Sequence, residues 1–261
     1  MKYYRFSLDD NIWVFRDLAY GRYHSIFDHP YLSFLIEIHE EFHTKIQLNV
    51  YYETNEFCLA QMPDRYKEEW EENARWLRLS FHARANDPPS PYESSGYDEL
   101  FTDCSAVQKE ICRFAGQTVL SPFTTIHYCK VTSDGCRGLK DCGIKGLVGL
   151  FRPQDGEQVD YSLSKETEAY LQTNHFCYDK AYGMFFVRND LIINAHPLLE
   201  LGKVLKGKEN EAFLEVMIHE QYFYPDSPLY QSDFQEKVHF VIGWLTEQGY
   251  EPVFLEEMLN I

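Results

Sequence analysis

Four apolar, strand-like runs end on side chains that handle metals or protons, and this recurrence narrows the possible folds more than any other feature. Residues 5–8 lead into Asp9 and Asp10, 77–81 into His82, 123–126 into His127, and 213–218 into His219 and Glu220. A single run of this kind is an ordinary accident of a buried strand. Four, spread from the N-terminal to the C-terminal region, imply strand ends that converge on one site. That is the geometry of an α/β barrel, whose chemistry sits at the carboxyl ends of its strands.

The rest of the pattern agrees. Strand-like runs fall near 2–9, 45–52, 76–82, 118–127, 143–151, 184–194, 213–219 and 250–255, and amphipathic stretches near 29–43, 63–74, 97–115, 133–142, 164–173, 196–206 and 231–248 lie between them. In 97–115, Tyr97, Leu100, Phe101, Cys104, Val107, Ile111 and Phe114 recur at helical spacing and Gly116 follows as a stop. Alternating strands and helices mean parallel strands joined by crossover helices. At 261 residues the expected arrangement is one domain spanning 1–261, a (β/α) barrel of seven to eight parallel strands with outer helices. An open doubly wound sheet is the other arrangement the pattern allows, though no G-x-G-x-x-G follows the first strand. Residues 87–91, rich in proline and just beyond His82, are expected at the rim of the site.

Composition bounds the partners. A net charge of −17 argues against nucleic acid and anionic membranes, which need a basic surface. No apolar run is long enough to span a bilayer. Residues 1–10 read as a strand rather than a leader, and the seven cysteines form no C-x-x-C pair, so free thiols in a cytoplasmic protein are expected.

The chemistry follows from the residue types. Successive strand residues point to opposite faces, so Asp9 and Asp10 do different jobs; if the strand stops there, the chain can turn so that both reach the barrel mouth. One can then bind a divalent cation while the other accepts a proton. A carboxylate with neutral imidazoles suits zinc or a similar first-row metal, which would lower the pKa of bound water, and His219 can protonate a leaving group. The plainer alternatives are a turn or helix cap at Asp9-Asp10-Asn11 and hydrogen-bonded structural histidines. Tyr222, Phe223 and Tyr224 follow His219 and offer flat faces to a sugar ring, or else pack beneath a loop.

These residues resemble the polysaccharide deacetylase family, the NodB-type carbohydrate esterases. Phe6-Ser7-Leu8-Asp9-Asp10-Asn11 stands where that family has a T-F-D-D-G-like motif, His82-Ala83-Arg84-Ala85-Asn86 where it has H-[ST]-x-x-H, and Met217-Ile218-His219-Glu220 where it has a late apolar run into histidine. The resemblance implies Asp9 as general base, Asp10 and His82 as metal ligands, and His219 as general acid. Two departures stand out. Asn86 replaces the second motif histidine, and Ser121-Pro122-Phe123 lacks the arginine of R-P-P-[YF]. His127 is then expected to supply the missing imidazole, with Asn86, Glu220 or Tyr222 as a further ligand or substrate contact.

The function expected is removal of an N- or O-acetyl group from a carbohydrate or amino sugar, with a divalent metal, zinc first. Two rivals remain: a degenerate barrel that binds a saccharide or partner without hydrolysis, and an amidohydrolase acting on a small cyclic amide.

Overall fold

The structure is a computed structural model that describes residues 1–152 and 159–261. Its strands are β1 (Lys2–Asn11), β2 (Ile46–Tyr51), β3 (Leu77–Ala83), β4 (Phe123–Thr125), β5 (Gly146–Gly149), β6 (Phe176–Asp179), β7 (Met184–Arg188), β8 (Leu191–Ile192), β9 (Phe213–His219) and β10 (Tyr250–Pro252). Its α-helices are α1 (Trp13–Tyr20), α2 (Pro30–Phe42), α3 (Lys67–Glu72), α4 (Tyr97–Phe114), α5 (Ser133–Asp141), α6 (Lys165–Thr173), α7 (Leu198–Lys206), α8 (Phe234–Glu247) and α9 (Leu255–Met258). One sheet runs β3-β2-β1-β9-β8 with β10 beside the start of β1, and a second runs β4-β5-β7-β6.

Two seams join the sheets into a barrel. On one side a bridge between Leu79 and Leu120 ties β3 to the segment entering β4. On the other, only Asn189 and Asp190 separate β7, paired with β5, from β8, paired with β9. Counting β7 and β8 as one stave gives seven parallel staves, and the closed path excludes the open doubly wound sheet. The only antiparallel pair among the described strands is β6 with β7, a hairpin on the outer edge.

Strand alternation sorts side chains inside and outside the wall. Outward residues such as Phe6, Leu8, Leu48, Leu79, Phe81, Val216 and Ile218 meet the helices in one large apolar core. Leu100, Cys104, Val107, Ile111 and Phe114 of α4 are buried in this core, whereas Phe101 is 37% exposed and stacks on Tyr97 instead. Gly116, with φ at 92°, ends the helix in a conformation that side chains rarely adopt.

The inside is layered. Phe123, Val148, Val187, Phe213 and Leu255 plug the base, with Tyr3, Phe185, Val253 and Met258 around them. Above the plug, Arg5 and Glu215 form a fully buried ion pair. Ser7, Asn49 and Ser80 come next, all buried. A polar interior rising towards the carboxyl ends of the strands places the charged side chains at the mouth. No helix among the described residues is long and apolar enough to cross a membrane.

Candidate metal centre

Asp9 and Asp10 both reach the mouth because β1 does not stop there; it bulges. The register between β1 and β2 shifts between Leu8 and Asn11, and Asp10 takes a positive φ of 66°. Asp9 stays in register beside His219 of β9. The extra residue swings Asp10 round to the same opening. Asn11 pins the bulge: its amide donates to the carbonyls of Leu8 at 2.6 Å and Asn49 at 3.1 Å, and its oxygen accepts from the Tyr31 hydroxyl at 2.9 Å.

Among the described residues, Asp10, His82 and His127 are the one group of three whose ligand atoms could hold a metal, lying within 4.8 Å of one another, and all three are buried. His82 Nε2 lies 2.9 Å from Asp10 Oδ1, and His127 Nδ1 lies 3.3 Å from the same oxygen. The Nδ1 of His82 faces the Thr125 carbonyl, which fixes the proton there when the ring is neutral and leaves the Nε2 lone pair for the cluster. Two imidazoles and one carboxylate, one imidazole already oriented from behind, fit a first-row divalent cation.

The electrostatics point the same way. Burial pushes the Asp10 carboxyl up, but the bonds to His127 and His82 and the charges of His82 and His219 outweigh it and hold it well below the usual carboxylate range. Burial also favours the neutral form of His82, yet the Asp10 bond, the charges of Asp9 and Asp10 and the Thr125 carbonyl raise it overall. The acids therefore demand a positive charge among them, supplied by a proton on His82 or by a cation.

The mouth is a cavity of about 340 Å³ lined by Asp9, Asp10, His82, Asn86, His127 and His219, with Gln221 and Tyr222 at its edge. Asn49 donates to Asp9 Oδ1 at 2.6 Å. The Nδ1 of His219 lies 2.9 Å from Asn194 Oδ1, and its ring centroid is 6.0 Å from that of Tyr222. Asn86 meets His127 through its backbone carbonyl, 3.2 Å from Nε2, rather than through its amide. Residues 87–91, expected at the rim, do not line the cavity.

Glu220 lies elsewhere. It is fully buried away from the cavity, and its carboxylate accepts from the backbone amides of Ile12, Trp13 and Val14 at 2.8, 3.0 and 2.8 Å. Both oxygens are thus committed to the first turn of α1, so the expectation of a metal or substrate contact is corrected. The aromatic run after His219 is also divided: Tyr222 stays with the cavity, while Phe223 and Tyr224 turn away from it.

Sequence reasoning missed Tyr51 and Gln221. The Tyr51 hydroxyl donates to Asp10 Oδ1 and lies 2.8 Å from His127 Nδ1, and Gln221 Nε2 donates to Asp10 Oδ2 at 2.5 Å. Tyr51 carried a usable signal. In Ile46–Tyr51 the side chains able to hydrogen-bond (Gln47, Asn49 and Tyr51) recur at every second position, which marks an inward polar face. Gln221 carried none, since it follows the end of β9 in a short turn.

Neither a family model nor a curated protein matches the sequence. Solved structures do match. A family 4 acetyl xylan esterase from Clostridium thermocellum, solved with a cobalt ion, is 13% identical, with a TM-score of 0.52 over 99% of this chain and 91% of that one. The peptidoglycan N-acetylglucosamine deacetylase Bc1960 is 11% identical, with a TM-score of 0.53 over 98% and 87%. A 4-alpha-glucanotransferase from Thermococcus litoralis is 13% identical, with a TM-score of 0.60; this whole chain spans 40% of its length. At these identities the likeness establishes the fold alone, a (β/α) barrel shared with the family 4 esterase and the N-acetylglucosamine deacetylase as well as with the glucanotransferase.

Proposed function

We propose that this protein is a metal-dependent hydrolase that removes an N- or O-acetyl group from a carbohydrate or amino sugar. One observation carries the reading: Asp10, His82 and His127, from the ends of three different staves, gather at the barrel mouth where Asp9 and His219 also face. A cation held by Asp10, His82 and His127, zinc being our choice, would act as a Lewis acid and make water nucleophilic near neutral pH. Asp9, held by Asn49, is placed to take a proton from the attacking water. His219 lines the cavity with its Nδ1 engaged by Asn194, and its free ring nitrogen would protonate the departing amine or alcohol. Tyr222 offers a face for the sugar ring beside that acid. The seven free thiols fit a reducing compartment, and we place the protein in the cytoplasm on that ground.

A binding barrel without hydrolysis is favoured by one observation: Tyr51 and Gln221 engage both oxygens of Asp10, so the cluster is hydrogen-bonded without help. Metal analysis and acetate release from acetylated amino sugars and aryl acetates test both readings. We expect one zinc per chain, lost in His127→Ala, and acetate release that follows the metal. Unchanged stoichiometry in His127→Ala would remove the ligand set, and zinc binding without acetate release from any substrate would favour the binding barrel.

A further inference from the structure

We infer that the Tyr51 hydroxyl oxygen is a fourth protein ligand of the metal ion, bound as a phenolate beside Asp10, His82 and His127. The inference rests on the metal site of the proposed function and adds to it a donor that no sequence motif marks. The sequence reserves a further contact for Asn86, Glu220 or Tyr222. Glu220, however, caps α1, and Asn86 meets His127 through its backbone carbonyl.

The contacts of Tyr51 differ in kind from those that orient the other ligands. The Thr125 carbonyl faces His82 Nδ1, and Gln221 Nε2 donates to Asp10 Oδ2, so each engages an atom that Asp10, His82 and His127 do not use with one another. Tyr51 instead touches the atoms that face each other: its hydroxyl donates to Asp10 Oδ1 and lies 2.8 Å from His127 Nδ1. Those two atoms are 3.3 Å apart, and His82 Nε2 lies 2.9 Å from the same Asp10 oxygen. Four donors, one from each residue, thus share one small volume. Tetrahedral ligands at about 2.0–2.1 Å from an ion stand about 3.3–3.4 Å from one another, so this set is drawn in slightly tighter than an ion would hold it.

The placement of the ring suits a ligand as well. Tyr51 ends the inward polar face of β2, is 1% exposed, and packs against the His127 and His82 rings with centroids 5.2 and 5.1 Å apart. It does not line the cavity, so it meets the ion from the barrel wall and leaves the open side to water and substrate. Zinc accommodates this, because it can expand from four ligands to five. A ligand oxygen of this type is deprotonated when it coordinates: the phenol O–H bond breaks, the oxygen donates its electron pair to the ion, and the proton passes to the buffer. With Asp10, a second anionic oxygen then balances the two charges of a divalent ion.

Ultraviolet difference spectroscopy tests the inference. Zinc is added to chelator-treated protein, and conversion of phenol to phenolate is read as a new absorbance band. We expect one tyrosinate per bound zinc, no such band in Tyr51→Phe at saturating zinc, and an undiminished band in Tyr222→Phe, which removes the hydroxyl at the cavity edge. Zinc affinity by chelator competition should fall at least about tenfold in Tyr51→Phe. Zinc bound without a band, or a band that survives Tyr51→Phe, would overturn the inference while leaving the proposed function standing. Failure of the wild type to take up zinc would overturn both. A band tied to Tyr51 in a protein that releases no acetate would support this ligand and count against hydrolysis alone.

Discussion

Replacing Glu220 with glutamine tests how the barrel mouth is held together. The wild-type carboxyl accepts three backbone amides, those of Ile12 and Trp13 on Oε2 and that of Val14 on Oε1. A glutamine can keep its carbonyl oxygen on Ile12 and Trp13, but its NH₂ then faces the Val14 amide, donor against donor. One lost bond plus one buried amide left without an acceptor amounts to about 2–4 kcal/mol. That is a large share of the roughly 5–15 kcal/mol by which a domain is stable. Burial, against the pull of the three amides, pushes this carboxyl up to about 7 from an ordinary value of 4.5. A folded-state value above the unfolded one means that folding favours the neutral acid, so its contribution is complete below about pH 4.5 and is lost as the pH rises through about 7. Glu220→Gln has no such loss. The gap between wild type and variant should therefore be widest near pH 5 and narrow by pH 8. Urea unfolding followed by circular dichroism, with chelator present so that the histidine cluster titrates alike in both proteins, gives the two curves. A gap within about 0.5 kcal/mol at every pH would mean that the cap holds nothing. A gap that widens with pH would mean that the three amides outweigh burial, and that the carboxylate is stabilised here rather than strained.

Three further outcomes are expected. Asp9→Asn should keep its zinc by elemental analysis while acetate release falls by about 10²–10⁴, the range for a lost general base, and a parallel loss of metal would make Asp9 a ligand instead. Tyr51→Phe removes a hydroxyl bonded to both Asp10 and His127, so zinc affinity measured by chelator competition should fall about 10–100-fold; unchanged affinity would show that this contact is incidental. Arg5→Met strands Glu215 in the barrel interior and should destabilise by about 3–5 kcal/mol in urea titrations, whereas adding Glu215→Leu should recover most of the loss; a double variant no better than the single would refute the ion-pair account.

The elements that could be read from the sequence are those whose signals are local. The α4 helix was legible because its buried positions recur at helical spacing and Gly116 closes it, and β9 because its apolar run ends abruptly on His219 and Glu220. The α1 helix was not legible, because it has no local start. Its N-cap is Ile12, its first turn holds no acid, and the carboxylate that caps it comes from Glu220, some 200 residues away in sequence. β6 escaped for the opposite reason: it is a short edge strand, exposed or half-buried along its length, that exists by pairing with β7.

The site divides along the same line. Strand-end residues could be named from sequence because a strand fixes which side chains arrive at the mouth, and the register that sets Asp9 beside His219 is a direct consequence. What sits within hydrogen-bonding distance at the mouth depends on distortions that sequence patterning does not encode. The Asp10 bulge is one: a regular strand would turn that carboxylate away from the cavity. The turn after β9 is another, since Tyr222, Phe223 and Tyr224 look equivalent in sequence yet line two different cavities. The missing second motif histidine shows why this matters. A metal needs three donors in one small volume and is indifferent to their spacing along the chain, so an imidazole from the turn after β4 can take a place that a motif read linearly assigns to residue 86. Whether that place is used is a property of the folded mouth, and the zinc content of His127→Ala measures it directly.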